Sequence, residues 1–145
     1  MTNYVLQAET GHINLSPVGF RRWATHYLKA SRDFKAPDEG FSPVRYFLLC
    51  RAIELQLKAW HLENRRQKEV KIDYGHNLIV SYEDLSTDKQ LLSAEEVETL
   101  RIANTMYMDK GFEYMSVMDA GTGFSRAPCI RALESIAIKL IGDDG

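Results

Sequence analysis

Cysteine is scarce in this chain: Cys50 and Cys129 are the only two among 145 residues. Two lone thiols make neither a disulfide framework nor a metal site. Cys50 lies inside an apolar helical run, where a reduced, packed thiol is the expectation. Histidine is also sparse. His12, His26, His61 and His76 are scattered, with no H-x3-H pair and no Cys/His cluster to complete a zinc set, so no metal and no cofactor is expected. No run of about 18 apolar residues occurs and no signal-peptide pattern opens the chain, which points to a soluble, cytoplasmic protein with no membrane partner. Charge is nearly balanced, 18 Lys and Arg against 20 Asp and Glu, for a net −2. That does not imply a general electrostatic grip on nucleic acid and leaves room for a local basic patch.

Motifs of chemistry are equally thin. Gly121, Thr122 and Gly123 are too short a run for a phosphate loop and follow no strand. No serine, cysteine or aspartate sits in a nucleophile-elbow context. Glu54 has the character of a general base if desolvated, but no second acid stands at a suitable position. Internal repeats, low-complexity tracts and strand-like alternation are all missing. What remains is helical periodicity on a chain of one-domain size.

The chain is organised around residues 43–66. Ser42 suits an N-cap and Pro43 a first helical residue. One apolar row runs Val44, Leu48, Ala52, Leu55, Ala59, Leu62, and a second runs Leu49, Ile53, Leu57, Trp60. Two adjacent rows make a face wide enough for several neighbours. A third, polar row carries Arg51, Glu54, Lys58, His61 and Arg65. Glu54 and Lys58 are an i,i+4 pair in the favourable order. The row reads either as a solvated face or as a charged seam at a cleft or subunit interface.

Residues 1–15 lack a period and read as an extended or poorly ordered lead-in. Ser16 and Pro17 start a first helix to about Phe34, its apolar face traced by Val18, Phe20, Trp23, Ala24, Tyr27, Leu28 and Ala30. Arg21, Arg22, Lys29, Arg32 and Lys35 make this the most basic segment, either a solvated face or an RNA-contacting one. Residues 35–42, with Pro37 and Gly40, form a loop. The charged stretch 63–71 ends the central helix or extends it, and Asp73, Tyr74 and Gly75 read as a turn. A third helix opens at 76–78 and runs to about Leu85, with His76 a candidate cap. Ser93 and Glu96 form a capping box for a fourth helix carrying Val97, Leu100, Ala103, Met106 and Tyr107. Residues 112–127 read as irregular. Pro128 starts a last helix to about Ile141 that buries Ile130, Leu133, Ile136, Ala137 and Leu140, and 142–145 is a tail. The fold class is all-α: one helical domain over 1–145, a bundle with short connections.

Three segments in order carry a resemblance. Ala52 to Ala59 reads A-I-E-L-Q-L-K-A, Gly75 to Leu78 reads G-H-N-L, and Asn104-Thr105-Met106-Tyr107 is followed by Phe112-Glu113-Tyr114. This resembles the HEPN superfamily (higher-eukaryote and prokaryote nucleotide-binding), whose members show A-x-E-L-x-L-K-A, then G-H-D/N-L, then L-N-x-x-Y and R/F-x-Y. The resemblance spans roughly residues 17–141. It implies a HEPN-like up-and-down bundle of four to five helices and a homodimer. It also implies association with nucleotide or RNA, or with a nucleotidyltransferase-like partner. Many members are ribonucleases, toxins of toxin–antitoxin pairs or defence effectors, using an Arg, four to six residues, then a His in a late helix. Here the last helix has Arg131 and no histidine follows His76, so the expectation is a member without that catalytic route. Arg21 and His26 have the spacing but lie in the first helix, and are carried as an alternative, non-standard ribonuclease pair. Arg51, Glu54, Lys58, His76, Tyr107 and Tyr114 are the motif cluster. Physically, Glu54, Lys58 and His76 would tie the corner between the second and third helices, with Tyr107 and Tyr114 sealing it, as a structural device or a ligand-binding one.

Overall fold

The computed structural model describes residues 16–142. The lead-in over 1–15, with His12, lies outside the described residues. The described chain is helical, with no strand among these residues. Helix α1 is Pro17–Asp33, α2 Val44–His61, α3 Gln67–Tyr74, α4 Leu78–Glu83, α5 Ala94–Met108, α6 Val117–Gly121 and α7 Ile130–Ile141.

The architecture follows from α2, which is buried nearly all round from Leu49 to Ala59. Around it pack α1, α4, α5 and α7. The core joins Leu49, Ile53 and Leu57 of α2 to Leu28, Leu78, Leu100, Met106, Leu133 and Ile136. Each fully buried Leu or Ile contributes about 1.5–3 kcal/mol, which secures the central helix without any special device. Its start is close to expectation. Pro43 already has helical φ and ψ, and the Ser42 hydroxyl accepts from the Val44 N–H at 3.4 Å.

Several expectations need correction. On α1 the apolar face is narrower than the sequence suggests. Ala24, Leu28 and Ser31 are buried, while Val18 and Trp23 are each 60% exposed. One helix–helix seam takes only the i, i+4, i+7 stripe, and Ser31 is tolerated there because its hydroxyl donates to the Leu28 carbonyl at 2.7 Å.

The central helix stops at His61 and does not continue as an exposed extension. Residues 62–65 turn, and Arg66 becomes extended and starts α3, with the Glu69 carboxylate accepting from its N–H at 3.1 Å. Val70 and Tyr74 of α3 form a second apolar cluster with Leu62, flanked by Phe20. That burial makes a helix of a segment whose charge obscured its period. Tyr74 closes this helix rather than lying in a turn. Gly75, at φ +52°, then ends it; other residues strain in this conformation.

Asn77, not His76, caps α4, its side-chain oxygen accepting from the Val80 N–H at 3.1 Å. The capping box at α5 is present in both halves. The segment read as irregular contains α6, capped by Ser116 on the Asp119 N–H at 2.9 Å. The bundle thus has seven helices among the described residues, more than the four to five expected. The additional α3 and α6, of eight and five residues, are too short to announce a period. No helix among the described residues is long and apolar enough to cross a membrane.

Candidate functional site

Glu54 is the floor of the site. It sits mid-helix in α2 and is 4% exposed. A carboxylate so placed must be paired and fully hydrogen-bonded, and three elements supply the partners. From one turn on, Lys58 donates to Oε2 at 2.8 Å. From α5, the Tyr107 hydroxyl donates to Oε1 at 2.5 Å. From the residue before the α4 cap, His76 Nδ1 lies 3.1 Å from both oxygens. Since an ionised carboxylate only accepts, Nδ1 carries the proton. Arg51, one turn before Glu54, adds an ion-pair contact at 3.6 Å.

The electrostatics follow. Burial alone would raise the Glu54 carboxyl. The Lys58 ammonium outweighs it, helped by the Tyr107 and His76 hydrogen bonds, and holds the group below its ordinary value. Burial and the adjacent Glu54 charge push the Tyr107 hydroxyl far up, fixing it as a donor. Cys50 is raised for the same two reasons and is inert.

This floor opens into a cleft of about 650 Å³. Helix α1 lines it with Gly19, Phe20 and Trp23. Arg51, Glu54, Leu55, Lys58 and Leu62 come from α2. Gln67, Val70 and Lys71 come from α3, with Gly75 and His76 beyond its end. The volume falls in the range of small-molecule sites, about 300–1,000 Å³. Among the described lining residues, Glu54 is the only acid, against Arg51, Lys58 and Lys71. One carboxylate facing three permanent cations leaves a positive cleft. The His76 side chain is 61% exposed. Its proton at Nδ1 is committed to Glu54, so Nε2 is the nitrogen available to solvent or a ligand.

The sequence-derived cluster is therefore largely assembled. Arg51, Glu54, Lys58, His76 and Tyr107 meet. Tyr114 does not join them. It is 69% exposed and lines a separate small aromatic recess with Phe41, Phe112 and Phe124. The turn after α5, with Lys110 at φ +63°, carries it off the helix line. The polar row of α2 also splits. His61 turns inward, 6% exposed, with Nε2 2.8 Å from the Ser81 carbonyl and its ring stacked on Tyr74 at 4.4 Å. Arg65 pairs with Asp73 and donates to the Tyr74 hydroxyl at 2.7 Å. Arg21 and His26 line a shallow hollow on α1 with Val18, Arg22 and Thr25. Arg21 is held by Glu63 at 3.3 Å, and neither residue lines the Glu54 cleft.

Three contributors escaped the sequence reading. Lys71 was lost in a charged tract. Trp23 has the spacing of an apolar face residue in the sequence. Asn104 stands in the sequence only as part of a motif, yet its Oδ1 accepts from the Leu78 N–H at 2.8 Å and its Nδ2 donates to the Asn77 Oδ1 at 3.1 Å. This amide relay fixes the start of α4, and so His76, against α5. Among the described residues no group of three His, Cys, Asp or Glu side chains gathers to hold a metal ion. No protein-family model, curated protein or solved structure matches the chain.

Proposed function

We propose that this chain is a HEPN-like module that binds nucleotide or RNA phosphate in the cleft between α1, α2 and α3. The supporting observation is the gathering of Arg51, Lys58 and Lys71 on one concave surface with a single, neutralised carboxylate. Lys58 spends one donor on Glu54 and keeps two. Arg51 approaches Glu54 as an ion pair and retains guanidinium N–H groups for a second oxyanion. Calorimetry with 5′-mononucleotides and a short single-stranded RNA, at low and at physiological salt, tests the reading. Binding should be saturable and salt-sensitive, and Arg51→Ala or Lys71→Ala should weaken it by roughly tenfold, the scale of one charge-assisted contact. Binding indifferent to both substitutions would remove the reading.

A second reading rests on the Glu54–His76 contact. An imidazole oriented by a buried carboxylate is the arrangement of a general base, and Arg51 stands beside it. On this reading the non-standard Arg/His ribonuclease pair is Arg51 and His76, in place of Arg21 and His26. RNA turnover that disappears in His76→Asn and persists in His26→Ala would support it. Turnover unchanged in His76→Asn would end it. The HEPN reading further proposes a homodimer, and sedimentation at micromolar concentration checks it; a monomer throughout would count against pairing.

A further inference from the structure

Trp23 is the least economical residue on the surface of the cleft. The chain has two tryptophans. Trp60 packs partly buried against the core with Lys89 over its ring at 5.8 Å. Trp23 is 60% exposed, and among the described residues no ring or cation covers it. Its neighbour one turn back, Phe20, is packed down onto Leu62, Val70 and Tyr74. The same helix face therefore sets one aromatic into the cleft wall, packed against the fold, and leaves the other exposed beside it. An uncovered indole at the mouth of a cationic cavity has two chemical partners in view, a flat aromatic ring and an anion attached to it.

We infer that Trp23 is the stacking platform for a single unpaired nucleobase, whose phosphate is held by Arg51, Lys58 and Lys71. This rests on the phosphate-binding reading above and names the part of the ligand that reading leaves open. The cleft's 650 Å³ accommodates one nucleotide, and a base in a duplex has both faces occupied by its neighbours. A base flattened on an exposed aromatic contributes without sequence preference, because every base has a π-face. Phe20, Leu55, Leu62 and Val70 give the sugar and base edge an apolar wall. The ligand chemistry is thus an unstacked nucleoside phosphate, supplied either as a free nucleotide or as a residue of a single strand.

Calorimetry separates these statements. The ligands are AMP, ribose 5-phosphate, penta-adenylate and a blunt RNA duplex, against the wild-type chain, Trp23→Leu and Arg51→Ala. AMP should bind at least about tenfold more tightly than ribose 5-phosphate, as one base stack is worth. Trp23→Leu should bring AMP down to the ribose 5-phosphate level without changing ribose 5-phosphate itself, and Trp23→Phe should stay within a few-fold of wild type. The duplex should bind no better than ribose 5-phosphate. A preference for AMP over penta-adenylate identifies a free nucleotide, and the reverse identifies a strand; both uphold the stack. Equal affinity for AMP and ribose 5-phosphate, or an unaltered AMP affinity in Trp23→Leu, with binding still lost in Arg51→Ala, overturns the stack and spares the phosphate reading. Absence of binding by every ligand overturns both. Trp23 is exposed, so its substitution leaves the core intact.

Discussion

His76 presents Nδ1 at 3.1 Å to both carboxylate oxygens of Glu54, across 22 residues of sequence. The contact spans the whole of α3, so it fixes where that helix can lie. It also commits Nδ1 of an exposed imidazole as a donor at the edge of the cleft.

Removing the carboxylate should be costly. Glu54→Ala leaves the Lys58 ammonium, 13% exposed as a side chain, facing a void with the Tyr107 hydroxyl. Breaking one partner out of a buried ion pair costs about 3–5 kcal/mol. Urea denaturation should show a loss of this size, with the slope unchanged.

Acid should weaken the fold through the same group. Glu54 is held below its ordinary 4.5 in the folded chain, so the unfolded chain takes up the proton first as pH falls. Its contribution is complete above about 4.5 and is lost as pH drops through the lower folded value. Glu96 and Asp119, lowered chiefly by hydrogen bonds from Lys139 and Arg126, act in the same sense. Urea midpoints from pH 7 to 3 should decline, and Glu54→Gln, which does not ionise, should decline less steeply. A parallel decline would sink the assignment to Glu54.

The two motif tyrosines should behave differently. Tyr107→Phe deletes the 2.5 Å hydrogen bond to Glu54 and should cost about 1.5–3 kcal/mol, the range for a bond to a charged group. Tyr114→Phe changes an exposed residue and should stay within about 0.5 kcal/mol. Equal effects in thermal melts would contradict the placement of Tyr114 outside the cluster.

Asn77→Ala removes the α4 cap and should destabilise by about 0.5–2 kcal/mol. Asn104→Ala should cost at least as much, since it frees the buried end of the Leu78 N–H bond as well as the amide relay. The histidine ring proton shifts should show whether His76 moves in Asn104→Ala. An unmoved ring would mean that the relay does not set its position.

The thiols give an independent check on packing. A thiol reagent should modify Cys129, exposed at the start of α7, at once. It should reach the buried Cys50 only through opening of the core. Two equally fast thiols would contradict the burial of α2.

The long helices were legible because each has a sustained period, and α1 and α5 have a side-chain cap as well. Ser16 with Pro17 and Ser93 with Glu96 mark starts, and α2 carries its apolar rows over eighteen residues. Helix α3 was hidden because its period rests on Val70 and Tyr74 alone, buried by a turn that only the tertiary fold provides. Five of the six motif residues converge, since i,i+3 and i,i+4 spacing on α2 fixed Arg51, Glu54 and Lys58 together. Tyr114 failed because a short turn separates it from the helix whose period would have placed it. His61 shares the spacing of the polar row yet turns inward, for spacing gives a direction around the helix and not what stands opposite. Trp23 and Lys71 became visible only once α1 and α3 faced each other across a cavity.

Glu54 draws its donors from 4, 22 and 53 residues further along the chain. Each of the longer connections must be closed against chain entropy before its hydrogen bond can form, and a carboxylate with only some of its donors is worse off buried than wet. The floor of the cleft is therefore close to all-or-none. A chain that stops before α5 would keep the sequence of every lining residue and lack the Tyr107 hydroxyl that completes the floor, so a ligand for the cleft would report the docking of α5 onto α2.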